Sequence, residues 1–161
     1  YDTRCPGFVT THSKIILGAP LDPISKLGGQ IFVLYVQVLR DRSSGNWWCY
    51  YGKDRIPIGY WPKSLFSELA GPATYTDWGG QAFSPPGTPG PQMGSGLFPD
   101  RPRWGYHAFS CCIKVTDDKY TEIDVIGSKQ FNDHPDWYGV KDMGLQHDPR
   151  YRHLTFWGGK A

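Results

Sequence analysis

Hydrophobic and polar positions along this chain fall into short alternating runs, separated by clusters of glycine, proline and small polar residues. A period of two is the signature of a strand with one face covered. The first such runs are Gly7–His12 and Lys14–Ala19, followed by the longest apolar stretch, "QIFVLYVQVLR", over 30–40. "DRSSGN" then reads as a turn, and "WWCYY" (47–51) and "IPIGYW" (56–61) read as a hairpin around Gly52-Lys53-Asp54. One segment has a helical pattern: in "PKSLFSELAG" proline opens the first turn, Leu65, Phe66 and Leu69 share a face, and Gly71 follows. Strand signals resume at Thr74–Phe83, stop at the proline- and glycine-rich loop Ser84–Gly96, and return over Gly105–Asp117. Tyr120–Gly127 is the expected partner of that long strand across Asp118-Lys119, and "YRHLTFWGG" at the tail offers one more. The pattern predicts an all-β chain, an antiparallel β-sandwich or jelly roll with at most one short helix near Pro62–Leu69.

Composition agrees. Aromatic residues make up 16% of the 161 residues, and 20 glycines and 14 prolines supply turns in place of helix interiors. The length suits one domain. A formal charge of +2, with lysine and arginine scattered, gives a nucleic acid nothing to hold. The longest apolar run falls short of the roughly 20 residues a membrane helix needs, so no membrane partner is expected. Tyr1-Asp2-Thr3-Arg4 does not read as a secretion leader. Four cysteines occur, at 5, 49, 111 and 112. Without Cys-x-x-Cys or zinc-finger histidine spacing, no metal or other cofactor is expected. Cys111 and Cys112 would face opposite sides of a strand, and a bridge between neighbours is strained. Cys49, Cys111 and Cys112 therefore read as buried thiols.

Candidate chemistry is sparse. No Gly-x-Ser-x-Gly elbow presents a serine nucleophile, and His147 and His153 read as surface residues. Of fifteen acidic residues only Glu68 and Glu122 are glutamates. The first reads as a solvated helix face and the second as an outward strand position whose inward partners are Ile123 or its neighbours. The stretch "TDWGGQAFSPP", 76–86, stands apart: a tryptophan, two glycines that allow close backbone approach, then the neutral amide of Gln81. Trp47, Trp48, Tyr60, Trp61 and Trp78 either line a groove that stacks proline rings or sugars or belong to ordinary sheet packing. Adjacent Trp47 and Trp48 cannot both face inward.

Six short blocks in order, "CPGFV" (5–9), "SGNWW" (44–48), "IGYWP" (58–62), "LF" (65–66), "WGG" (78–80) and "QMGSG" (92–96), resemble the carboxyl-terminal domain of the plant neprosin family. The tail is similar more loosely, through "FWGG" (156–159). The resemblance implies an antiparallel sandwich and, in active members, a secreted glutamic endopeptidase that cuts after proline at acidic pH. Of its two facing glutamates, one follows the tryptophan-glycine-glycine block, which places Gln81 at that position. The other lies upstream of the "CPGFV" block, so residues 1–161 are expected to be the carboxyl-terminal portion of a single domain. The same comparison pairs Cys5 with a cysteine before Tyr1.

Two functions follow as expectations. One is a binding protein with impaired hydrolysis, using Gln81 with Trp48, Tyr60, Trp78, Gly79 and Gly80 to hold a proline-containing peptide or a glycan. The other is part of an active endopeptidase whose second glutamate comes from upstream sequence or another chain. Either is expected to pair with an amino-terminal segment or another chain, and to reside outside the cell or in the vacuole.

Overall fold

A computed structural model describes residues 7–160. The expected pairing state of Cys5 lies outside the described residues. Among the described residues there are nine strands: β1 (Val9–Thr10), β2 (Val36–Arg40), β3 (Trp47–Tyr51), β4 (Ile56–Trp61), β5 (Ala108–Cys111), β6 (Lys114–Thr116), β7 (Glu122–Asp124), β8 (Tyr138–Leu145) and β9 (His153–Gly159). All the pairings are antiparallel, so the all-β expectation holds. Instead of the expected helix, the segment after β4 forms two single 3-10 turns, Lys63–Leu65 and Glu68–Ala70. Its apolar positions are too few and too exposed to reward a longer helix, and Leu65 and Leu69 stay 48% and 40% accessible. No helix among the described residues is long and apolar enough to cross a membrane.

The chain divides into two compact units. The first, Tyr1–Ile24 with Phe32–Thr76, carries a four-stranded sheet in the order β1-β4-β3-β2. Its centre is the predicted hairpin, found at the predicted residues. Gly52, with φ +76°, makes the turn that joins β3 to β4 and donates its N–H to Tyr35 O at 2.9 Å. Phe8, Cys49 and Ile58 form the core, flanked by Ile15, Leu17, Tyr51 and Trp61. Gly59 leaves room for the Phe8 ring, because a Cβ there would fall 2.5 Å from Phe8 Cε1. Phe8 then meets Trp61 edge-on at 4.6 Å between centroids.

Three expected strands of this unit are shorter or absent, and of Gly7–His12 only Val9–Thr10 is strand. Lys14–Ala19 is not a strand: His12 Nδ1 accepts the N–H groups of Lys14 and Ile15 at 3.2 and 2.9 Å, tying the backbone locally, while Ile15 and Leu17 still pack on the core. Only Val36–Arg40 of the long apolar run pairs, and it forms the edge of the sheet with Val36 and Val38 half exposed. Apolar character predicted burial there, whereas pairing depends on a neighbour.

The second unit is Ser25–Ile31 with Asp77–Ala161. It holds a three-stranded sheet, β5-β9-β8, and the hairpin β6-β7. β9 is the central strand and its residues are buried on both faces except for a partly exposed Trp157, so its sequence lacks alternation. Ile113, Leu154 and Phe156 are its buried apolar residues. The expected strand over Gly105–Asp117 is broken in two at Cys112, which has φ +56°. The expected hairpin with Tyr120–Gly127 does form, its turn closed by Asp117 Oδ1 accepting the N–H groups of Lys119 and Thr121. Glu122 reaches across to Lys114 at 3.2 Å, but Ile123 is 47% accessible and not inward as expected. The expected strand at Thr74–Phe83 is unpaired irregular chain.

Candidate functional site

Gln81 lies on that irregular segment, in the second unit, and is exposed together with Trp78, Gly79 and Gly80. Its position is nevertheless fixed from below. A Cβ on Gly80 would collide with Met93 Sδ and would lie 2.8 Å from Met93 Cγ and 2.9 Å from Trp157 Cε3. Any side chain here would have to displace Met93 or the Trp157 ring for the backbone to rest where it does. Met93 is itself bound to β9 by a two-way bridge with Gly159, N to O at 3.0 and 3.2 Å. Gly158 admits the loop as well: a Cβ there would lie 2.6 Å from Leu97 O and 3.3 Å from Met93 O. The Trp157 indole N–H donates to Ser110 Oγ on β5 at 3.2 Å.

Three glycine-bearing blocks that are far apart in sequence, 78–80, 92–96 and 156–159, therefore meet in one packed arrangement. Gly94, at φ +61°, closes the turn of the middle block over Ala108. Ser95 Oγ in the same turn is buried without a hydrogen-bond partner among the described residues. Gly79, by contrast, has open space where a side chain would go. The result is an exposed primary amide, close in sequence to an exposed indole, on a backbone that packing holds in place.

Trp48 and Tyr60 lie in the first unit, opposite one another on β3 and β4. Their rings stack at 4.8 Å and 39°. Both remain partly accessible, on the face opposite Trp47, whose N–H donates to Leu69 O at 2.7 Å. The alternation rule for the two adjacent tryptophans thus holds: they take opposite faces of the sheet.

A third polar group was not anticipated. His147 is exposed as expected, but His153 is 2% accessible, and the surface reading fails there. His153 begins β9, where the sheet covers both faces. Its Nδ1–H donates to Val125 O at 2.6 Å, and its Nε2–H faces Asp142 Oδ1 at 3.0 Å and Ser128 Oγ at 3.3 Å. The Ser128 hydroxyl donates to Asp142 Oδ2, and the Gly144 N–H donates to Asp142 Oδ1 at 2.7 Å. Both ring nitrogens thus lie within hydrogen-bonding distance of oxygen partners, Nδ1 of a backbone carbonyl and Nε2 of a carboxylate. Burial alone would push the Asp142 carboxyl up; the Ser128 hydroxyl, the Gly144 N–H and the His153 charge outweigh it and hold the group below the ordinary carboxylate range. These residues form the floor of an open depression of about 460 Å³, rimmed by Ile126, Met143 and Leu145.

The trio of serine, histidine and aspartate does not make a hydrolytic relay. In such a relay the hydroxyl and the carboxylate sit at opposite ring nitrogens. Here both lie at Nε2 and a backbone carbonyl takes Nδ1. The group is a lock that joins β8, β9 and the 125–128 segment.

Antiparallel sheets, a glycine-built platform and an exposed amide close in sequence to tryptophan define an all-β protein with a surface-mounted polar site. The family model for neprosin matches residues 1–160, taking in the tail as well as the six blocks. The chain belongs to the neprosin family.

Proposed function

We propose that this chain is a neprosin-type binding protein with impaired hydrolysis, Gln81 standing where active relatives keep one catalytic glutamate. The observation that carries this reading is the exposed Gln81 amide on a backbone fixed by Gly80 against Met93 and Trp157. An amide can donate a hydrogen bond to a carbonyl or a sugar hydroxyl and accept one in return, but it cannot exchange a proton as a carboxyl can. Trp78, near it in sequence, offers a flat surface for a proline ring or a sugar, and the Trp48–Tyr60 pair of the first unit is a separate aromatic surface of the same kind. The ligand is a proline-containing peptide or a glycan, met outside the cell or in a vacuole.

The second reading is an active endopeptidase in which Gln81 holds the tetrahedral oxyanion and a glutamate from upstream sequence or another chain serves as base. A fluorogenic proline-containing peptide, incubated with the wild-type protein and with Gln81→Glu from about pH 2 to pH 6, separates the two, because carboxyls change charge in that window. The binding reading expects saturable quenching of tryptophan emission without cleavage by the wild type. Turnover by the wild type would establish the second reading, and a flat emission response to peptides and glycans alike would refute the binding reading.

A further inference from the structure

The depression above the His153 lock has a polar floor, bare backbone in its wall and an apolar rim. It lies at the bulge in β8, where the register shifts between Asp142 and Gly144. A bulge re-aims the side chains next to it, and here Met143 is left 43% accessible at the rim while Asp142 is engaged by His153. Gly127 and Gly144 both have positive φ, +71° and +63°, with open space where a Cβ would go, so backbone alone lines the depression at these points. The segment 125–130 is pinned three times. The Val125 N–H donates to Ile113 O at 3.4 Å, the Ser128 hydroxyl donates to Asp142 Oδ2, and Gln130 Oε1 accepts the Asp142 N–H at 2.6 Å. These ties order the site in advance, which spares a ligand that cost. Ile126 and Leu145 nevertheless leave apolar surface in water at the rim, 76% and 50% accessible.

The hydrogen-bonding capacity left at the floor is mixed. A carboxylate offers about four lone-pair directions. His153 Nε2, the Gly144 N–H and the Ser128 hydroxyl occupy three at Asp142, which leaves one acceptor. The exposed Gln130 carboxamide has engaged only its oxygen, so its NH2 supplies donors. An anion would face the Asp142 carboxylate. A cation would meet a carboxylate already shared among three partners, with no second acid among the lining residues. A sugar hydroxyl donates and accepts at once, and a sugar ring has an apolar C–H face that aliphatic side chains can cover. The volume of about 460 Å³ lies within the range of about 300–1,000 Å³ usual for small-ligand sites.

We propose that this depression binds a neutral sugar residue, its hydroxyls held by Gln130, Ser128 and Asp142 and its C–H face resting on Ile126 and Met143. The site shares no residue with Gln81 and Trp78, so it does not depend on the function proposed above.

The test is a two-dimensional amide NMR titration of the whole chain with the methyl glycosides of glucose, galactose, mannose and arabinose, and in parallel with butylammonium and inorganic phosphate. At least one glycoside should move the backbone signals of Gly127, Ser128 and Gly144 and the side-chain amide of Gln130 together, saturating in the millimolar range. Gln130→Ala and Ile126→Ser should each weaken that binding about five- to tenfold, the worth of one hydrogen bond or one apolar contact. Ile126 carries no part of the lock, so Ile126→Ser should keep the wild-type spectrum without ligand and isolates the rim from stability. Four results would overturn the proposal. These are no saturable movement with any glycoside, movement confined to Trp78 and Gln81, butylammonium or phosphate binding as tightly as the best glycoside, and wild-type affinity in Ile126→Ser.

Discussion

Replacing His153 with alanine tests the buried lock directly. The change removes a ring that is 2% accessible, leaving the Asp142 carboxylate and Val125 O without the ring nitrogens that face them. Leaving a buried carboxylate without its partner costs about 3–5 kcal/mol, because it keeps its desolvation cost and loses its compensation. For a chain of this size each kcal/mol lowers the melting temperature by about 2–4 °C, so His153→Ala should melt about 6–20 °C below wild type at pH 7. His147→Ala, on the exposed position, should stay within about 0.5 kcal/mol of wild type and serves as the control. Adding Asp142→Ala to His153→Ala should cost little more or recover part of the loss, since it removes the orphaned charge. Scanning calorimetry with near-ultraviolet circular dichroism reads all four proteins. A His153→Ala melting point no lower than that of His147→Ala would refute the buried pair.

Gly80→Ala should destabilise the second unit by about 1–3 kcal/mol, because Met93 can bend away but the Trp157 ring is held by Ser110, whereas Gly79→Ala, facing open space, should change little; urea unfolding compares them. Acid should weaken the wild type in a defined window. The Asp142 and Asp124 carboxyls are both held below their ordinary value, Asp124 chiefly by the Arg152 guanidinium, so their contribution is complete above about pH 3.9. It is lost as pH falls further through their depressed folded values, and urea midpoints between about pH 5 and pH 2 should fall more steeply for wild type than for Asp142→Asn.

What the sequence made legible was local. β3, the Gly52 turn and β4 could be read to the residue because strand formers flank a turn that needs a positive φ. The strand at Tyr138–Leu145 was missed because glycines and charges, Gly139, Lys141, Asp142 and Gly144, interrupt its apolar positions, and a bulge between Asp142 and Gly144 shifts its register. His153 was misread for a related reason. A central strand buried on both faces shows no alternation, so nothing in "RHLTFWGG" marks the histidine as inward. Cys112 lies beyond the reach of the period-two rule, since its left-handed backbone ends the strand that alternation would carry through it. The glycine-rich blocks around Gln81 were visible as motifs, but only the fold shows that they touch.

The convergence of those blocks also sets an order of events during folding. Gln81 rests on Gly80, Gly80 rests on Trp157, and Trp157 belongs to the last strand of the described chain. Contacts that span so much sequence must wait for a large loop to close, so they form late. Until β9 has entered between β5 and β8 the amide has no fixed position. Nascent or partly unfolded forms of this protein would carry the same residues without this arrangement, and the binding proposed above would report on completion of the sheet itself.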